Sequence, residues 1–484
     1  MFEVSLDSEF SGCDFEDMRL TKRLPMIGRK LGERPNLSIP GSLESRAEME
    51  AAYRFFDNEN VTPEKILATH RARTLGRVSQ SKVCLLVQDT TELDLTRPEQ
   101  QVVGAGPLSA NSRRGAYLHP LIAITPDRLN LGVVWQKAWA RDEIDTVRTP
   151  KEKSKRLEKM PIEEKESFRW VEGQRAARDV AECCVETQCV LICDSEADIY
   201  EVMSENRSTL HGRPLEFLIR ACQDRATDVP DQKILAAIHA CEALHRTTVN
   251  VSARTAKTKI DKSKRGASRD ARSAELTVKA CQVTLRPPER HDRKLPAVTV
   301  NVVLAEELSP PPGESAIQWL LLTTLPINTL EDILAVIDYY RCRWLIENYF
   351  KVLKSGCRVE ERQFETIERE INAIAVYMVA AWRIHLLVHL GREVPNLDCS
   401  VLFEECEWKS VCVIAERKLP THAPTLNQFI RMVASLGGYV KRKNTEPGYQ
   451  TLWIGLHRMQ DFAIAFQAFG PGSKVPTSER CVER

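Results

Sequence analysis

The sequence lacks the features that mark membrane-spanning, secreted or disulfide-stapled proteins. No apolar run reaches the roughly 18 residues that cross a bilayer. The opening stretch, MFEVSLDSEF, has neither the basic nor the apolar region of a signal peptide. The 15 cysteines in 484 residues form no C-x-x-C pair, which leaves a zinc ribbon or a thioredoxin-like motif unsupported. We therefore expect a cytoplasmic protein with no membrane partner and reduced thiols, of which Cys84, Cys189 and Cys193 are buried.

The sequence also lacks an excess of charge of either sign. Its 68 Lys and Arg against 67 Asp and Glu leave a net charge of +1, whereas nucleic-acid binders are often strongly basic. Any contact with DNA must therefore depend on local clusters. Residues 254–272 form one such cluster, with eight Lys or Arg against two Asp. Both a solvated hairpin tip and a DNA-contacting loop fit this composition.

Secondary-structure patterns alternate along the chain without internal repeats. Residues 1–75 are predicted to be helical, with a helix start at Thr62 and Pro63. Strands are predicted at 83–89, 117–125, 131–140 and 189–196. A charged helix over 150–182 lies between the last two, and a short helix is expected from Asp198. A β-rich stretch covers about 205–324, and helices dominate from Thr329 onward. This order predicts an α/β protein with a mixed sheet.

Two aspartates follow buried strands and open polar stretches. Asp89 ends VCLLVQD and Asp194 follows CVLIC, and the carboxyl ends of strands are where open α/β sheets place ligands. Two carboxylates brought together there repel each other unless a cation neutralises them. Hard divalent cations such as Mg²⁺ prefer such oxygen ligands. Either aspartate alone would also suit a helix cap.

The segment IDYYRCRWLIENYFKVLKSG carries a polar face on a predicted helix. At about 100° per residue, one side of the helix carries Tyr340, Arg343, Glu347, Lys351 and Lys354. Leu345, Tyr349, Val352 and Leu353 fall on the other side. A solvated face with ion pairs between successive turns would explain the charged residues, although it does not account for the tyrosine among them.

The spacing Tyr340-x2-Arg343-x3-Glu347-x6-Lys354 resembles the Tyr-Arg-Glu-Lys signature of bacterial cut-and-paste DDE transposases, the family of the composite transposon Tn-five. Further blocks are similar in the same order: AAYRFFDNENV, QDTTEL, CDSEADI, PPPGESAIQWLLLTTLP and SLGGYVKRKNTEPG. The resemblance therefore runs across most of the chain.

This resemblance implies an RNase H-like mixed-sheet catalytic core with a β-rich insertion at about 205–324. The expected domains are a helical DNA-binding domain at 1–75, the catalytic domain at 76–375 and a helical dimerisation domain at 376–484. It implies binding of double-stranded DNA at transposon ends and at a target, by a homodimer that holds two ends. The protein would act in the bacterial cytoplasm, associated with the nucleoid.

The resemblance also implies roles for single residues. Asp89, Asp194 and Glu347 would be the catalytic carboxylates, holding two Mg²⁺ ions, with Mn²⁺ as a substitute. Tyr340, Arg343, Lys351 and Lys354 would hold the DNA backbone, together with Arg220. Trp319 would stack on a base expelled during hairpin formation. A surface arginine and a core tryptophan are the plainer interpretations of the last two positions.

Two departures and two rival functions remain open. The spacing after the signature is one residue longer around Arg358 and Val359, and Phe364 stands where the relative has a basic residue, so DNA contacts of that segment are in doubt.

An RNase H-like nuclease or junction resolvase would cut DNA without joining it. A DNA-binding inhibitor or inactivated remnant would not cut at all, but this chain keeps its N-terminal helices and all three carboxylates.

Overall fold

A computed structural model describes the structure of most of the chain. The described residues are 5–43, 45–110, 112–142, 152, 156, 159–251, 270–290, 292–312, 314, 316–416, 418–441 and 445–471. Most of the basic cluster at 254–272 therefore lies outside the described residues, as do residues 150, 151, 153–155, 157 and 158 of the helix expected at 150–182.

Helices frame the chain at both ends, and strands occupy its middle. The helices are α1 (Leu6–Phe10), α2 (Met18–Glu33), α3 (Ile39–Ser42), α4 (Arg46–Phe56), α5 (Pro63–Val78), α6 (Arg169–Cys183), α7 (Tyr200–Ser204), α8 (Ile234–His239), α9 (Leu330–Cys342), α10 (Trp344–Lys351), α11 (Ile367–Glu393), α12 (Glu405–Glu416), α13 (Leu426–Leu436) and α14 (Tyr449–Phe469). The strands are β1 (Val83–Gln88), β2 (Thr91–Asp94), β3 (Gly106–Pro107), β4 (Arg114–Ile124), β5 (Asn130–Trp139), β6 (Gln188–Cys193), β7 (Glu216–Arg220), β8 (His245–Val251), β9 (Arg272–Leu285), β10 (Val298–Glu306) and β11 (Gln318–Thr323).

The fold divides into two compact units that interleave along the sequence. Unit 1 takes residues 1–81, 90–145 and 344–484, and unit 2 takes residues 82–89 and 146–343. The domain boundaries expected at residues 75 and 375 fall inside α5 and α11, respectively.

The N-terminal helices of unit 1 begin where the sequence predicts. Thr62 caps α5 by accepting a hydrogen bond from the Lys65 amide, and Pro63 is the first helical residue. Proline suits this position because its missing N–H would have no partner in the first turn. Ser45 caps α4 in the same way. The helical interpretation of the first 75 residues is therefore correct.

Helix α11 runs through the centre of unit 1 and packs against α2, α5 and β5. The indole N–H of its Trp382 donates to the Asn130 carbonyl at 2.8 Å, and the Arg77 guanidinium lies 4.5 Å from the centre of the same ring. By length and composition α11 could span a membrane, but 89% of its most apolar window is buried within the fold. Such burial is what a helix at the core of a folded unit shows.

The strands of unit 1 pair antiparallel. Strand β4 pairs with β2, β3 and β5, and irregularities in the β4–β5 register follow Leu121 and Ala123. The two long strands were predicted, whereas β2 and β3 were not, because each is too short to show alternation.

The strands of unit 2 form a mixed sheet in the order β1-β6-β7-β11-β10-β9-β8. The pairs β1–β6 and β6–β7 are parallel, and the remaining pairs are antiparallel. The mixed α/β sheet expected from the sequence is confirmed. Strand β7 lies beside β6, so the first strand of the predicted β-rich stretch belongs to the sheet that carries the two aspartates.

Two helices differ from the sequence prediction. Helix α6 begins at Arg169, after two 3-10 turns at Ile162–Glu164 and Glu166–Phe168. The short helix expected from Asp198 instead starts at Tyr200, because a 3-10 turn at Ser195–Ala197 comes first.

Candidate active site

The two aspartates lie at adjacent strand ends of unit 2. Strands β1 and β6 are parallel, with Val87 opposite Ile192, and this register carries Asp89 to a position beside Asp194. Neighbouring strands are about 4.8 Å apart, so the two carboxylates share one edge of the sheet. The residues just before them are joined, since Gln88 Nε2 donates to Cys193 Sγ at 3.2 Å. Both of these side chains are fully buried.

Asp89 already faces a cation of this chain. Arg343 Nη1 lies 2.9 Å from Asp89 Oδ2, and both side chains are only about one-seventh exposed, at 14% and 13%. A partly desolvated pair of this kind interacts more strongly than a surface pair. The signature arginine is thereby held at the carboxylate that the sequence identified.

Asp194 begins the turn after β6. Its Oδ1 accepts a hydrogen bond from the Glu196 amide at 2.8 Å. Asp194 therefore caps a short helical turn, which is the alternative role that the sequence allowed for it. A carboxylate can accept several hydrogen bonds, and the cap leaves coordinating capacity on the same side chain. The two interpretations of Asp194 are therefore compatible.

Three further residues cluster in unit 2. The Tyr340 ring lies edge-on to Trp319, with 5.9 Å between ring centres and an angle of 62°. Burial raises the pKa of the Tyr340 hydroxyl, while the positive charge of Arg343 and a hydrogen bond with Arg220 oppose that shift. Arg220 also donates to the Gln318 carbonyl at 3.3 Å. Trp319 is partly exposed.

The signature is not one continuous helix. Helix α9 ends at Cys342, α10 begins at Trp344, and a π-helical turn spans Val352–Gly356. Tyr340 is only 6% exposed, so its predicted place opposite the buried face of the helix was wrong. A helical projection assumes an unbroken helix and cannot show that Trp319 of β11 covers the ring. The apolar face was correct, because Leu345, Tyr349, Val352 and Leu353 are all buried.

Unit 1 carries the remaining signature residues. Glu347 lies in the first turn of α10 and is partly exposed, and Lys351 is exposed. Lys354 lies in the π-helical turn, where its ammonium group donates to the Glu92 carbonyl at 2.6 Å and pairs with Glu360 at 2.9 Å. Unit 2 thus brings together Asp89, Asp194, Arg220, Trp319, Tyr340 and Arg343, whereas Glu347, Lys351 and Lys354 belong to unit 1.

The carboxylates suit a hard divalent cation, although the described residues contain no cluster of three or more His, Cys, Asp or Glu side chains that could hold one unaided. Asp89 and Asp194 are oxygen donors at one sheet edge, and Mg²⁺ sites often use one or two carboxylates with substrate phosphates as further ligands. The Arg343 guanidinium supplies positive charge to Asp89 in this state. The donor set therefore fits a metal that binds together with a phosphate-bearing substrate.

Sequence reasoning missed Asp198, the last acid of DSEAD. It is 2% exposed, and its Oδ2 accepts from the amides of Cys222 and Gln223, both at 2.8 Å. Its Oδ1 pairs with Arg225 at 2.7 Å. Asp198 therefore fixes the loop that follows Arg220. Its spacing from Asp194 gave no signal, since the partners lie more than twenty residues later in the chain.

Two aromatic residues near the signature also behave in ways that the sequence did not reveal. Trp344, next to Arg343, is 58% exposed. Phe364, expected in a DNA-contacting segment, is 2% exposed and packs edge-on against Tyr53 and Phe56. Phe364, where a basic residue was expected from the family resemblance, therefore makes a buried aromatic contact within unit 1.

Family models match three successive parts of the chain. A transposase DNA-binding domain matches residues 4–61, a transposase DDE domain matches 185–382, and the Tn5 transposase dimerisation domain matches 379–468. The DDE match contains Asp194 and Glu347, while Asp89 precedes it. Among solved structures, a piggyBac transposase synaptic complex with hairpin DNA is similar over 96% of this chain and 74% of that chain. Its identity is 10% and its TM-score 0.36, a likeness too loose to bear on the fold.

The three matches follow the order DNA binding, catalysis and dimerisation, and the DDE match covers the strand end and signature helix that carry Asp194 and Glu347. DDE domains of this kind depend on divalent metal ions, bind DNA and act as metal-dependent endonucleases and strand transferases. The chain is therefore a member of the Tn5-like DDE transposases.

Proposed function

We propose that this transposase frees its element by cutting both strands at each end and joins the resulting 3′-OH ends to target DNA. Asp89, Asp194 and Glu347 are the proposed metal ligands. The observation that carries the proposal is the β1–β6 register, which aligns Asp89 with Asp194 at the sheet edge where Arg343 also lies. Glu347 follows Arg343 by four residues in the matched DDE region.

Two bound Mg²⁺ ions, replaceable by Mn²⁺, would activate the attacking oxygen and stabilise the leaving oxygen of an in-line phosphoryl transfer. Asp89, Asp194 and Glu347 would hold the ions. Water would be the first nucleophile, and the freed 3′-OH would be the next. One carboxylate set suffices for every step, because only the nucleophile changes.

The cations of the site would hold the DNA backbone in register. Arg343 is anchored by Asp89, so the guanidinium is oriented before DNA arrives. Lys354 and the exposed Lys351 supply further charge. Contacts of this kind position a duplex without reading its sequence, which is consistent with a site that must act on both the element's end and an unrelated target.

Hairpin formation is the proposed route to second-strand cleavage. The 3′-OH freed first would attack the opposite strand, and the bend would expel a base. Trp319, partly exposed beside Tyr340 and Arg220, offers an aromatic face for that base. Stacking on an aromatic side chain contributes about 1–3 kcal/mol per base, which helps to offset the cost of unstacking.

The proposed substrates are inverted-repeat ends and target duplex DNA, held by a homodimer in the bacterial cytoplasm at the nucleoid. The N-terminal helices of residues 1–75 would bind the end, residues 76–375 would supply catalysis, and residues 376–484 would pair the protomers.

The central test replaces each carboxylate in turn. Asp89→Asn, Asp194→Asn and Glu347→Gln should each abolish Mg²⁺- or Mn²⁺-dependent cleavage of an end-containing duplex while leaving end binding within about threefold, because binding rests on many phosphate contacts. Asp338→Asn, an exposed carboxyl paired with Arg341, is the matched control. A nicking Asp194→Asn protein would remove Asp194 from the site, and cleavage without strand joining would favour a plain nuclease.

The hairpin route is tested at Trp319. Trp319→Ala should spare the first nick but slow hairpin formation roughly 5- to 150-fold, if the stacking energy is fully expressed in the transition state. Nick, hairpin and opened end are timed separately on one labelled duplex, beside a melting curve. Uniform loss of all three products with a lowered melting temperature would instead make Trp319 a packing residue, as truncation of a core aromatic would.

A further inference from the structure

The segment after the signature helix folds back on itself at Arg358. The π-helical turn Val352–Gly356 is followed by Arg358 in the left-handed region, with φ 50° and ψ 42°, and then by a 3-10 turn at Val359–Glu361. A left-handed residue of this kind reverses the chain sharply. The reversal returns Glu360 to the signature lysine.

Glu360 and strand β2 together hold the Lys354 ammonium. Lys354 Nζ lies 2.9 Å from Glu360 Oε1 and donates to the Glu92 carbonyl at 2.6 Å. The same Glu360 oxygen accepts from the Asp94 amide at 2.9 Å. Two of the three ammonium donors are therefore used, and the side chain is tied to the strand that begins two residues after Asp89.

The carboxylates of β2 itself are engaged elsewhere. Arg113 pairs with Glu92 at 2.7 Å and with Asp94 at 3.5 Å, and the Ser109 amide donates to Glu92 at 2.9 Å. Burial opposes ionisation of Glu92, but the contacts with Ser109 and Arg113 hold the pKa of this carboxyl below its ordinary value. Among the described residues, Glu360 is thus the carboxylate that the Lys354 ammonium reaches.

We propose that Glu360 is a positioning residue that acts through Lys354. The lysine stem is flexible, and fixing its ammonium at β2 orders it before DNA binds and leaves one N–H for a phosphate oxygen. A side chain that is ordered before DNA binds lowers the entropic cost of orienting it during the reaction. This inference rests on the proposed DNA-contacting role of Lys354.

A double-mutant cycle tests the inference on the full-length protein. The variants are Glu360→Gln, Lys354→Met and the double variant, and the readouts are single-turnover cleavage of an end duplex, end-binding affinity and melting temperature. Glutamine keeps an oxygen for the Asp94 amide, so folding should be preserved. The control is Glu361→Gln, a neighbour that is 57% exposed and pairs with Arg358.

Glu360→Gln should slow cleavage about fivefold to thirtyfold, with end binding within about threefold because many other phosphate contacts remain. It should have no further effect once Lys354 is methionine, and Glu361→Gln should cleave normally. An equal loss in both backgrounds would mean that Glu360 acts independently of Lys354 and would overturn the inference. Tighter end binding with unchanged cleavage would make Glu360 a mere competitor of DNA and would overturn it as well.

Different results would contradict the positioning role of Glu360 and the proposed function of the protein. Normal cleavage by Glu360→Gln defeats the positioning role alone and leaves the transposase chemistry intact. Normal cleavage by Lys354→Met defeats both the positioning role and the assignment of the signature lysine. A wild-type protein that cleaves no end duplex with Mg²⁺ or Mn²⁺ would defeat the proposed function itself.

Discussion

At the scale of single residues, the two candidate aspartates depend on buried neighbours that carry no charge. Gln88 donates one amide N–H to Cys193 and also bonds to the Trp170 carbonyl at 3.3 Å. Burial raises the pKa of the Cys193 thiol well above its ordinary value, so the sulfur stays neutral and accepts the hydrogen bond. This contact fixes the ends of β1 and β6 relative to each other, immediately before Asp89 and Asp194.

Cys193→Ala should therefore harm the site more than Cys189→Ala, a matched change at a fully buried thiol in the same strand. Each variant loses about 1 kcal/mol of folding stability from the small cavity. Only Cys193→Ala should raise the half-saturating Mn²⁺ concentration for cleavage, by about threefold to tenfold, because it removes an acceptor of Gln88. Cys193→Ser should restore much of the loss. Identical metal titrations for the two alanine variants would contradict this account.

A buried carboxyl elsewhere in unit 1 sets a pH dependence. Glu370 of α11 is fully buried, and neither of its oxygens has a hydrogen bond of ordinary length to the described residues. Its nearest ion-pair partner is Arg97, at 3.6 Å. Burial raises the pKa of Glu370 to about 8, against the opposing charges of Arg97 and Arg362. Between pH 4.5 and about 8, Glu370 of the folded protein thus holds a proton that the same residue of the unfolded chain, with an ordinary pKa of 4.5, has lost.

The stability contributed by this proton is fully present below pH 4.5 and is lost as pH rises to about 8. Glu370→Gln cannot ionise, so it should be more stable than the wild type above pH 8, by on the order of 1–3 kcal/mol. Urea unfolding at pH 6 and pH 9 measures the difference, with the exposed Glu368→Gln on the same helix as control. Parallel pH profiles for wild type and Glu370→Gln would rule out Glu370 as the group responsible.

At the scale of elements, the sequence predicted those helices and strands whose positions depend on residues within or next to the element itself. The start of α5 at Thr62 and the strands leading to Asp89 and Asp194 were predicted from capping residues and apolar runs. The break at Arg343 and the π-helical turn at Val352–Gly356 were not, because a regular projection presumes an unbroken helix. Burial of Tyr340 depends on Trp319, which lies 21 residues earlier, and no local pattern reports such a contact.

Arg358 gives a direct test of the reversal after the signature. Glycine adopts the left-handed region freely, whereas a β-branched residue is strained there. Arg358→Gly should leave stability within about 1 kcal/mol of the wild type, and Arg358→Val should cost about 1–3 kcal/mol more. The exposed Arg341 of α9 should show the opposite order, with valine better tolerated than glycine, because it is helical. Melting curves of the four variants decide it, and valine tolerated equally well at both positions would remove the strain argument.

At the scale of the whole molecule, the order of functions along the chain was predictable, but the interleaving of the two units was not. Unit 1 contains the DNA-binding match at 4–61, the dimerisation match at 379–468 and the middle strands β2–β5. Compact units are defined by contacts between distant parts of the chain, and composition along the sequence does not reveal them. Expected boundaries at residues 75 and 375 consequently cut through α5 and α11.

Ile464 provides a test of pairing that leaves the core helix α11 intact. It is 50% exposed on α14, inside the dimerisation match, and a charge in an apolar interface is costly to bury. Ile464→Glu should retain binding to a single DNA end but lose complexes that hold two ends, as judged by native gels and light scattering. Leu210→Glu, at an apolar side chain that is 88% exposed and outside that match, should pair normally. Two-ended complexes formed equally by both variants would exclude Ile464 from the interface.

The three-segment composition of unit 1 also constrains the protein during its own synthesis. The Arg77 guanidinium lies over the ring of Trp382, whose indole N–H donates to the Asn130 carbonyl. Residues of α5 and β5, which are synthesised early, therefore pack against α11, which is synthesised late. About 250 residues must leave the ribosome between β5 and that tryptophan. Contacts between such distant segments form slowly and leave apolar surfaces open in the meantime. We therefore expect the contacts of Arg77 and Asn130 with Trp382 to form only after residue 382 has been synthesised, which leaves those parts of α5 and β5 without this partner until then.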